Sequence, residues 1–108
     1  MVNDEILRLA TERLVAKFQP RRVILFGSQA RGSADARSDV DLLVIRPIPP
    51  QGPNRRALMV AMDRALRGLD LATDLIVLTP EEFERDRQIP GTVARPASRE
   101  GIVLYEAP

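Results

Sequence analysis

The chain has 108 residues and a formal charge of +1, from sixteen basic and fifteen acidic side chains, so no broad field draws it to nucleic acid. It contains neither cysteine nor histidine, which excludes disulfides, thiolate chemistry, imidazole bases and the usual zinc sites, and leaves oxygen ligands of the kind that magnesium prefers. Its length indicates one domain over residues 1–108, and without a membrane-spanning apolar run or a secretory signal at the acidic start MVNDEILRLA we expect a cytoplasmic protein.

The first half of the chain is predicted to form two helices and two strands. Apolar residues recur at three- and four-residue spacing over residues 3–18, which predicts an amphipathic helix. The run 22–26 is short and apolar with β-branched members, as in a strand that is buried on both faces. Residues 28–31 suit a short helix, and a loop over residues 32–38 leads to a second predicted strand at 39–45.

The second half continues with a connection, a helix, a strand and another helix. Prolines and a glycine mark residues 47–53 as a non-regular, solvent-exposed connection. The helical period returns over residues 54–69, and residues 74–78 form a third apolar run that predicts a strand. Residues 79–82 then open a helix with a threonine cap, a proline at the first position and acids in the first turn.

The last segment favours a short helix over residues 92–99, with Pro96 in its first turn or at a kink, and an edge strand over residues 102–105. Strands and helices therefore alternate along the chain. This order predicts an α/β (α+β) fold in which helices pack against a small mixed β-sheet.

Gly27 and Ser28 stand where the first strand passes into the short helix. Such a junction has free backbone N–H groups that bind phosphate, glycine lets the backbone come close, and a serine hydroxyl adds a hydrogen bond. Arg31, one turn further on, can place a guanidinium on the same anion. Taken alone, the Gly-Ser step is explained more simply by a tight turn with an N-cap.

Asp39 and Asp41 are one residue apart and leave the same face of the second strand, so that their charges repel each other. A divalent cation between them turns that repulsion into ligation. The alternative is a strand-start cap at Asp39 and a solvent-facing Asp41. The apolar residues around the pair favour the metal site.

Asp74 is again an acid at the start of a buried apolar run. If the second and third strands are neighbours, the carboxylates of Asp39, Asp41 and Asp74 converge at one end of the sheet, beside the Gly-Ser turn. Three acids and a phosphate cradle describe a two-metal site for phosphoryl or nucleotidyl transfer. Asp70 is a rival for the third position, ranked lower because capping explains an acid in a helix-to-strand turn.

The pattern Gly-Ser-x10-Asp-x-Asp runs from Gly27 to Asp41. With this signature the chain resembles the minimal nucleotidyltransferases of the polymerase-β-type superfamily. The resemblance covers three segments, residues 23–45, 74–83 and 99–106. It implies the polymerase-β-type nucleotidyltransferase fold.

The resemblance also implies roles for the site residues. Asp39 and Asp41 would ligate two Mg²⁺ ions, and Asp74 would complete the site and help to deprotonate the attacking hydroxyl. Gly27 and Ser28 would hold the β- and γ-phosphates of ATP, so that the α-phosphorus faces the acceptor and pyrophosphate leaves. Because the chain has no histidine, a metal ion that lowers the pKa of the acceptor hydroxyl would replace an imidazole base.

Relatives of this size resemble the antitoxins of type VII toxin–antitoxin pairs, whose partner is a helical HEPN ribonuclease. Larger relatives carry a further domain for the acceptor, for which 108 residues leave no room. The resemblance therefore implies a protein adenylyltransferase that transfers AMP from ATP to a tyrosine of a HEPN toxin. The alternatives are a non-catalytic antitoxin that binds nucleotide and neutralises its toxin by steric capping and, ranked lowest, nucleotidyl transfer to a small molecule.

Overall fold

The chain folds as a mixed sheet with helices on both faces. A computed structural model describes residues 3–32 and 39–108, and these residues form five helices and four strands. The helices are α1 (Asp4–Phe18), α2 (Gly27–Arg31), α3 (Arg55–Ala65), α4 (Pro80–Asp86) and α5 (Ala94–Glu100). The strands are β1 (Arg22–Phe26), β2 (Val40–Ile45), β3 (Thr73–Leu78) and β4 (Ile102–Glu106). The predicted loop at residues 32–38 lies outside the described residues from residue 33 onward.

The described strands form a four-stranded sheet in the order β3-β2-β1-β4. β1 runs antiparallel to both of its neighbours, and β2 runs parallel to β3. The expectation that the second and third strands are neighbours is therefore confirmed. The end of β1 and the starts of the other three strands meet at one end of the sheet, which we call the upper end. The lower end is marked by Arg22, Ile45, Leu78 and Glu106.

Alternate side chains of the strands pack into two cores, one on each face of the sheet. On one face Leu42 packs with residues of α1 and α3. On the other face Leu43 and Ile45 pack with Phe83 of α4 and with alanines of α5. A strand that is buried on both faces has a continuous apolar sequence, as β2 does from Leu42 to Ile45. Because side chains alternate along a strand, Asp41 lies on the face that α4 and α5 cover.

Capping side chains determine where the helices begin. Asn3 and Asn54 each accept a backbone N–H of the first turn, in α1 and in α3. Thr79 and Glu82 form a reciprocal capping box at the start of α4. These contacts satisfy N–H groups that the start of a helix leaves without a partner. The predicted starts of these three helices are confirmed to within a residue.

α3 is shorter than its sequence period indicates. The period continues to about Leu69, but the helix ends at Ala65. The N–H groups of Leu66 and Arg67 bond to carbonyls three residues earlier, which tightens the chain into a turn. Arg13 donates to the carbonyl oxygens of Ala65 and Arg67. Leu66 and Leu69 still pack on the core, so the apolar spacing outlasts the helix.

The C-terminal segment has the predicted form. α5 contains Pro96 in its first turn, where a missing N–H costs nothing, and β4 is an edge strand of the sheet. Among the helices in residues 3–32 and 39–108, none combines the length and the apolar character needed to cross a membrane.

Candidate active site

The upper end of the sheet brings Asp41 and Asp74 together. β2 and β3 are parallel, and Asp41 is the register partner of Asp74, so the two side chains leave the same face on adjacent strands. Asp39 directly precedes β2. Asp41 is half-buried, whereas Asp39 and Asp74 are exposed. Asp70, the rival for the third position, is exposed in the connection between α3 and β3.

The charges around Asp41 disfavour its ionised form. Partial burial raises the pKa of the Asp41 carboxyl, and the negative charges of Asp74 and Asp39 raise it further. The Arg31 guanidinium opposes this shift but does not cancel it. Among the charges of the described residues that act on Asp41, two are negative and one is positive. A perturbed carboxylate in such a cluster indicates a functional site.

Gly27 brings the turn after β1 directly against Asp41. Its φ of +73° lies in the left-handed region that favours glycine. A Cβ atom at this position would stand 2.1 Å from Oδ2 of Asp41, far inside van der Waals contact. Glycine is therefore required here both by the backbone conformation and by the position of a carboxylate.

Ser28 follows Gly27 in the first turn of α2 and is half-buried. Phe26 is the N-cap residue, and its apolar side chain makes no capping hydrogen bond. The first N–H groups of a helix have no partner within the helix, and such groups can bind an anion. The structure places the predicted phosphate-binding pair beside Asp41. Its role in binding phosphate stays a prediction.

Arg31 is the last residue of α2 and forms an ion pair with Glu100, the last residue of α5, with 3.6 Å between Nη1 and Oε2. Both side chains are about half exposed, at 49% and 52%. The sequence pattern singled out Arg31 but not Glu100. Glu100 lies in a segment that only the family resemblance identifies. Its ion pair with Arg31 forms because α2 and α5 pack together.

The side chains at the upper end suit a hard divalent cation. Asp39, Asp41 and Asp74 offer carboxylate oxygens, which Mg²⁺ prefers, and the raised pKa of Asp41 reflects negative charge that a cation would balance. Within residues 3–32 and 39–108, no group of three metal-ligating side chains is already gathered around one point.

The predicted site residues and a large apolar cavity lie in different parts of the molecule. A cavity of about 590 Å³ lies between α1 and β4, lined by apolar residues such as Leu7, Val15 and Leu104. None of the predicted site residues lines it. We place the candidate active site at the acids of the upper end, because nucleotidyl transfer needs charged ligands rather than an apolar cavity.

Residues 7–102 match the nucleotidyltransferase domain family. Because this range includes most of the chain, and all six predicted site residues, the protein belongs to the nucleotidyltransferase domain family. A search of curated proteins returned no significant match.

Solved structures with the same fold agree with this assignment. A candidate nucleotidyltransferase from Sulfolobus solfataricus superposes with a TM-score of 0.64 at 24% identity, over 94% of this chain and 78% of that chain. A chain from a structure of a toxin–antitoxin with AMP-PNP superposes with a TM-score of 0.62 at 20% identity, over 98% of this chain and 75% of that chain. At these identities the likeness shows the fold alone. The predicted α/β nucleotidyltransferase fold is confirmed.

Proposed function

We propose that the protein transfers AMP from ATP to a partner protein, and that the partner is a HEPN ribonuclease toxin that is modified on a tyrosine. The observation that carries this proposal is the register pair of Asp41 and Asp74 beside the close turn at Gly27. Adjacent carboxylates, one of them partly buried with a raised pKa, suit a metal-bound triphosphate.

Asp39, Asp41 and Asp74 would hold Mg²⁺, and the family resemblance leads us to expect two ions. When bound, the metal balances phosphate charge and lowers the pKa of the attacking hydroxyl. The chain itself contributes position. Because β2 and β3 are paired along their whole length, the backbones that carry Asp41 and Asp74 are held at a constant spacing.

The phosphates of ATP would lie at the start of α2. The N–H groups near Gly27 and Ser28 would bind the β- and γ-phosphates, and the Arg31 guanidinium would contact the same charges. The acceptor oxygen attacks the α-phosphorus, the bond from this phosphorus to the bridging oxygen breaks, and pyrophosphate leaves. The proton of the hydroxyl passes to the Asp74 carboxylate.

A toxin partner is supported by the fold shared with a chain of a toxin–antitoxin structure, which was solved with the ATP analogue AMP-PNP. We assign this protein the antitoxin role of a type VII pair, in which the transferred AMP inactivates the ribonuclease. The acceptor hydroxyl would then be presented by the toxin at the upper end of the sheet, beside Asp74.

The test is the transfer of label from α-labelled ATP, with Mg²⁺, to the product of the neighbouring gene, which under this proposal is the HEPN toxin. The wild type should label the toxin, and Asp39→Ala/Asp41→Ala should reduce the initial rate by at least about 100-fold. Asp74→Asn should also lose activity, whereas Asp70→Asn is the matched control and should keep it. Equal labelling by the wild type and the double variant would show that the catalytic assignment is wrong.

The second candidate function is that of a non-catalytic antitoxin that binds nucleotide and covers its toxin. It is favoured by the absence, within residues 3–32 and 39–108, of a metal-ligand cluster that is already assembled. A toxin-neutralisation assay with Asp39, Asp41 and Asp74 all changed to Asn separates the two functions. A capping protein would still protect cells, and an adenylyltransferase would not.

A further inference from the structure

Arg31 and Glu100 connect the last helix of the chain to the candidate phosphate site. Their side chains form an ion pair of 3.6 Å. The positive charge of Arg31 also opposes the rise in the pKa of Asp41 that burial and the neighbouring acids cause. The guanidinium therefore pairs with an acid outside the candidate site and acts on the charge of one within it.

The backbone that carries Glu100 rests directly on β1. A Cβ atom on the next residue, Gly101, would stand 2.2 Å from the carbonyl oxygen of Ala97 and 2.5 Å from Cγ2 of Ile24. The N–H of Gly101 donates to the same carbonyl at 3.1 Å. The junction of α5 and β4 is therefore packed against the strand that leads into α2, and Glu100 has a rigid base.

Arg31 needs such a partner because its own side chain is long and half exposed. An arginine in water samples many rotamers, and binding a phosphate would freeze one of them at an entropic cost. An ion pair that already selects the rotamer lowers this cost, which is the usual benefit of preorganisation. Arginine also presents its donors in a planar fork, so its orientation matters for contact with a phosphate.

We propose that Glu100 is a positioning residue for nucleotide binding, which holds the Arg31 guanidinium in the orientation that meets the triphosphate. This role rests on the proposed function, because it takes Arg31 as a phosphate ligand. Glu100 acts through Arg31 and does not contact the nucleotide. Its effect has a distinctive sign, because removing a negative charge near an anion would by simple Coulomb attraction strengthen binding.

The chain offers a matched control at the lower end of the sheet. Arg22 and Glu106 form an ion pair of the same length, 3.6 Å, with side chains that are 38% and 57% exposed. Glu106→Gln removes the same charge and the same kind of contact as Glu100→Gln, at the end of the sheet that lacks the candidate site.

The experiment is calorimetric titration of the intact chain with Mg²⁺ and AMP-PNP, with melting curves to confirm that each variant is folded. We expect Glu100→Gln to weaken binding about twofold, Glu100→Asp to weaken it less, and Glu106→Gln to leave it unchanged. Arg31→Ala should weaken binding about tenfold. Adding Glu100→Gln to Arg31→Ala should have no further effect, because the group that Glu100 positions is already gone.

Two results would overturn the positioning role while nucleotide binding by the wild type stands. One is that Glu100→Gln binds as tightly as the wild type or more tightly. The other is that it weakens binding as much in the Arg31→Ala background as alone, because Glu100 would then act by another route. A wild type that does not bind Mg²⁺ and AMP-PNP at all gives a different outcome, which refutes the proposed nucleotide site and this role with it.

Discussion

Acids at the two ends of the sheet have pKa values that are shifted in opposite directions. At the lower end Glu82 accepts hydrogen bonds from Arg55, at 2.7 and 2.9 Å, and from the backbone N–H of Thr79, at 2.8 Å. Partial burial raises the pKa of Glu82, but these contacts outweigh it and lower the pKa. At the upper end, burial and two neighbouring acids raise the pKa of Asp41.

This difference separates an acid whose partners lie within the protein from acids that we propose to be metal ligands. Glu82 has its hydrogen-bond donors and its counter-charge within the protein, so its carboxylate needs no ligand. The carboxylates of Asp41 and Asp74 stand side by side at some cost in stability. Local conflicts of this kind are expected at functional sites, where a bound partner later resolves them.

Gly27→Ala should do the most damage to the upper end. It forces an L residue into a φ of +73° and drives a methyl group into the Asp41 carboxylate, so we expect a loss of about 2–4 kcal/mol in urea unfolding. Gly32→Ala is the control, because Gly32 has the same φ of +73° and no atom of the described residues lies within 4 Å of its Cβ position. The control should lose only about 1–2 kcal/mol. Equal losses of stability in the two variants would mean that the Asp41 carboxylate adds no steric cost at Gly27.

Thr79→Ala should weaken the capping box at the lower end without affecting the upper end. It removes the hydroxyl that accepts the N–H of Glu82, and we expect the free energy of unfolding to fall by about 1 kcal/mol. Thr79→Ser should preserve most of the stability. The affinity for Mg²⁺ and AMP-PNP should not change in either variant, because the capping box is far from the site acids. A loss of affinity in the folded Thr79→Ala protein would contradict the separation of the two ends.

Asp41→Asn should stabilise the metal-free protein, in contrast to most substitutions of a partly buried residue. It removes a charge that Asp74 and Asp39 oppose, so the free energy of unfolding should rise by about 0.5–1 kcal/mol at neutral pH. The same variant should lose the stabilisation that Mg²⁺ gives the wild type. A melting temperature that falls in the absence of metal would show that Asp41 has a structural partner after all.

The pH dependence of stability should distinguish Asp41 from Glu82. The lowered pKa of Glu82 means that its contribution is present above about pH 4.3 and is lost as the pH falls through its folded pKa. The raised pKa of Asp41 means that its penalty is full at neutral pH and is relieved as the pH falls through its folded pKa toward about 3.9. Unfolding of Glu82→Gln and Asp41→Asn from pH 7 downward should therefore differ from the wild type in opposite directions, and both differences should shrink in acid.

The smallest effect is expected for Glu106→Gln. An exposed ion pair such as that of Arg22 and Glu106 contributes less than about 0.5 kcal/mol, so the melting temperature should hardly change. A large loss in thermal unfolding would show that the lower end depends on this pair as well as on the capping box.

Much of the fold could be predicted from local sequence. Residues 42–45 of β2 form an uninterrupted apolar run because both faces of the strand are buried there, and α4 begins at Thr79, whose capping partner Glu82 follows three residues later. The end of α3 could not be predicted in this way. Leu66 and Leu69 keep the apolar period because they pack on the core, although the backbone has already left the helix.

The candidate site was accessible from sequence only in part. Asp39 and Asp41 are separated by a single residue, so their mutual repulsion can be inferred directly. The pairing of Asp41 with Asp74 depends on the order of strands in the sheet, which no local pattern determines. The contact of Gly27 with Asp41 and the ion pair of Glu100 with Arg31 join distant segments, and only the packed structure reveals them.

The central claim is that the upper end of the sheet binds a divalent cation, through its carboxylates, and a nucleoside triphosphate. Crystals grown with Mn²⁺ and AMP-PNP test it most directly, because anomalous scattering locates the metal without ambiguity. We expect a Mn²⁺ peak within about 2.2 Å of oxygens from Asp41 and from at least one of Asp39 and Asp74, with the triphosphate at the start of α2. Ordered nucleotide elsewhere, or carboxylates that point apart with no metal peak between them, would contradict the claim.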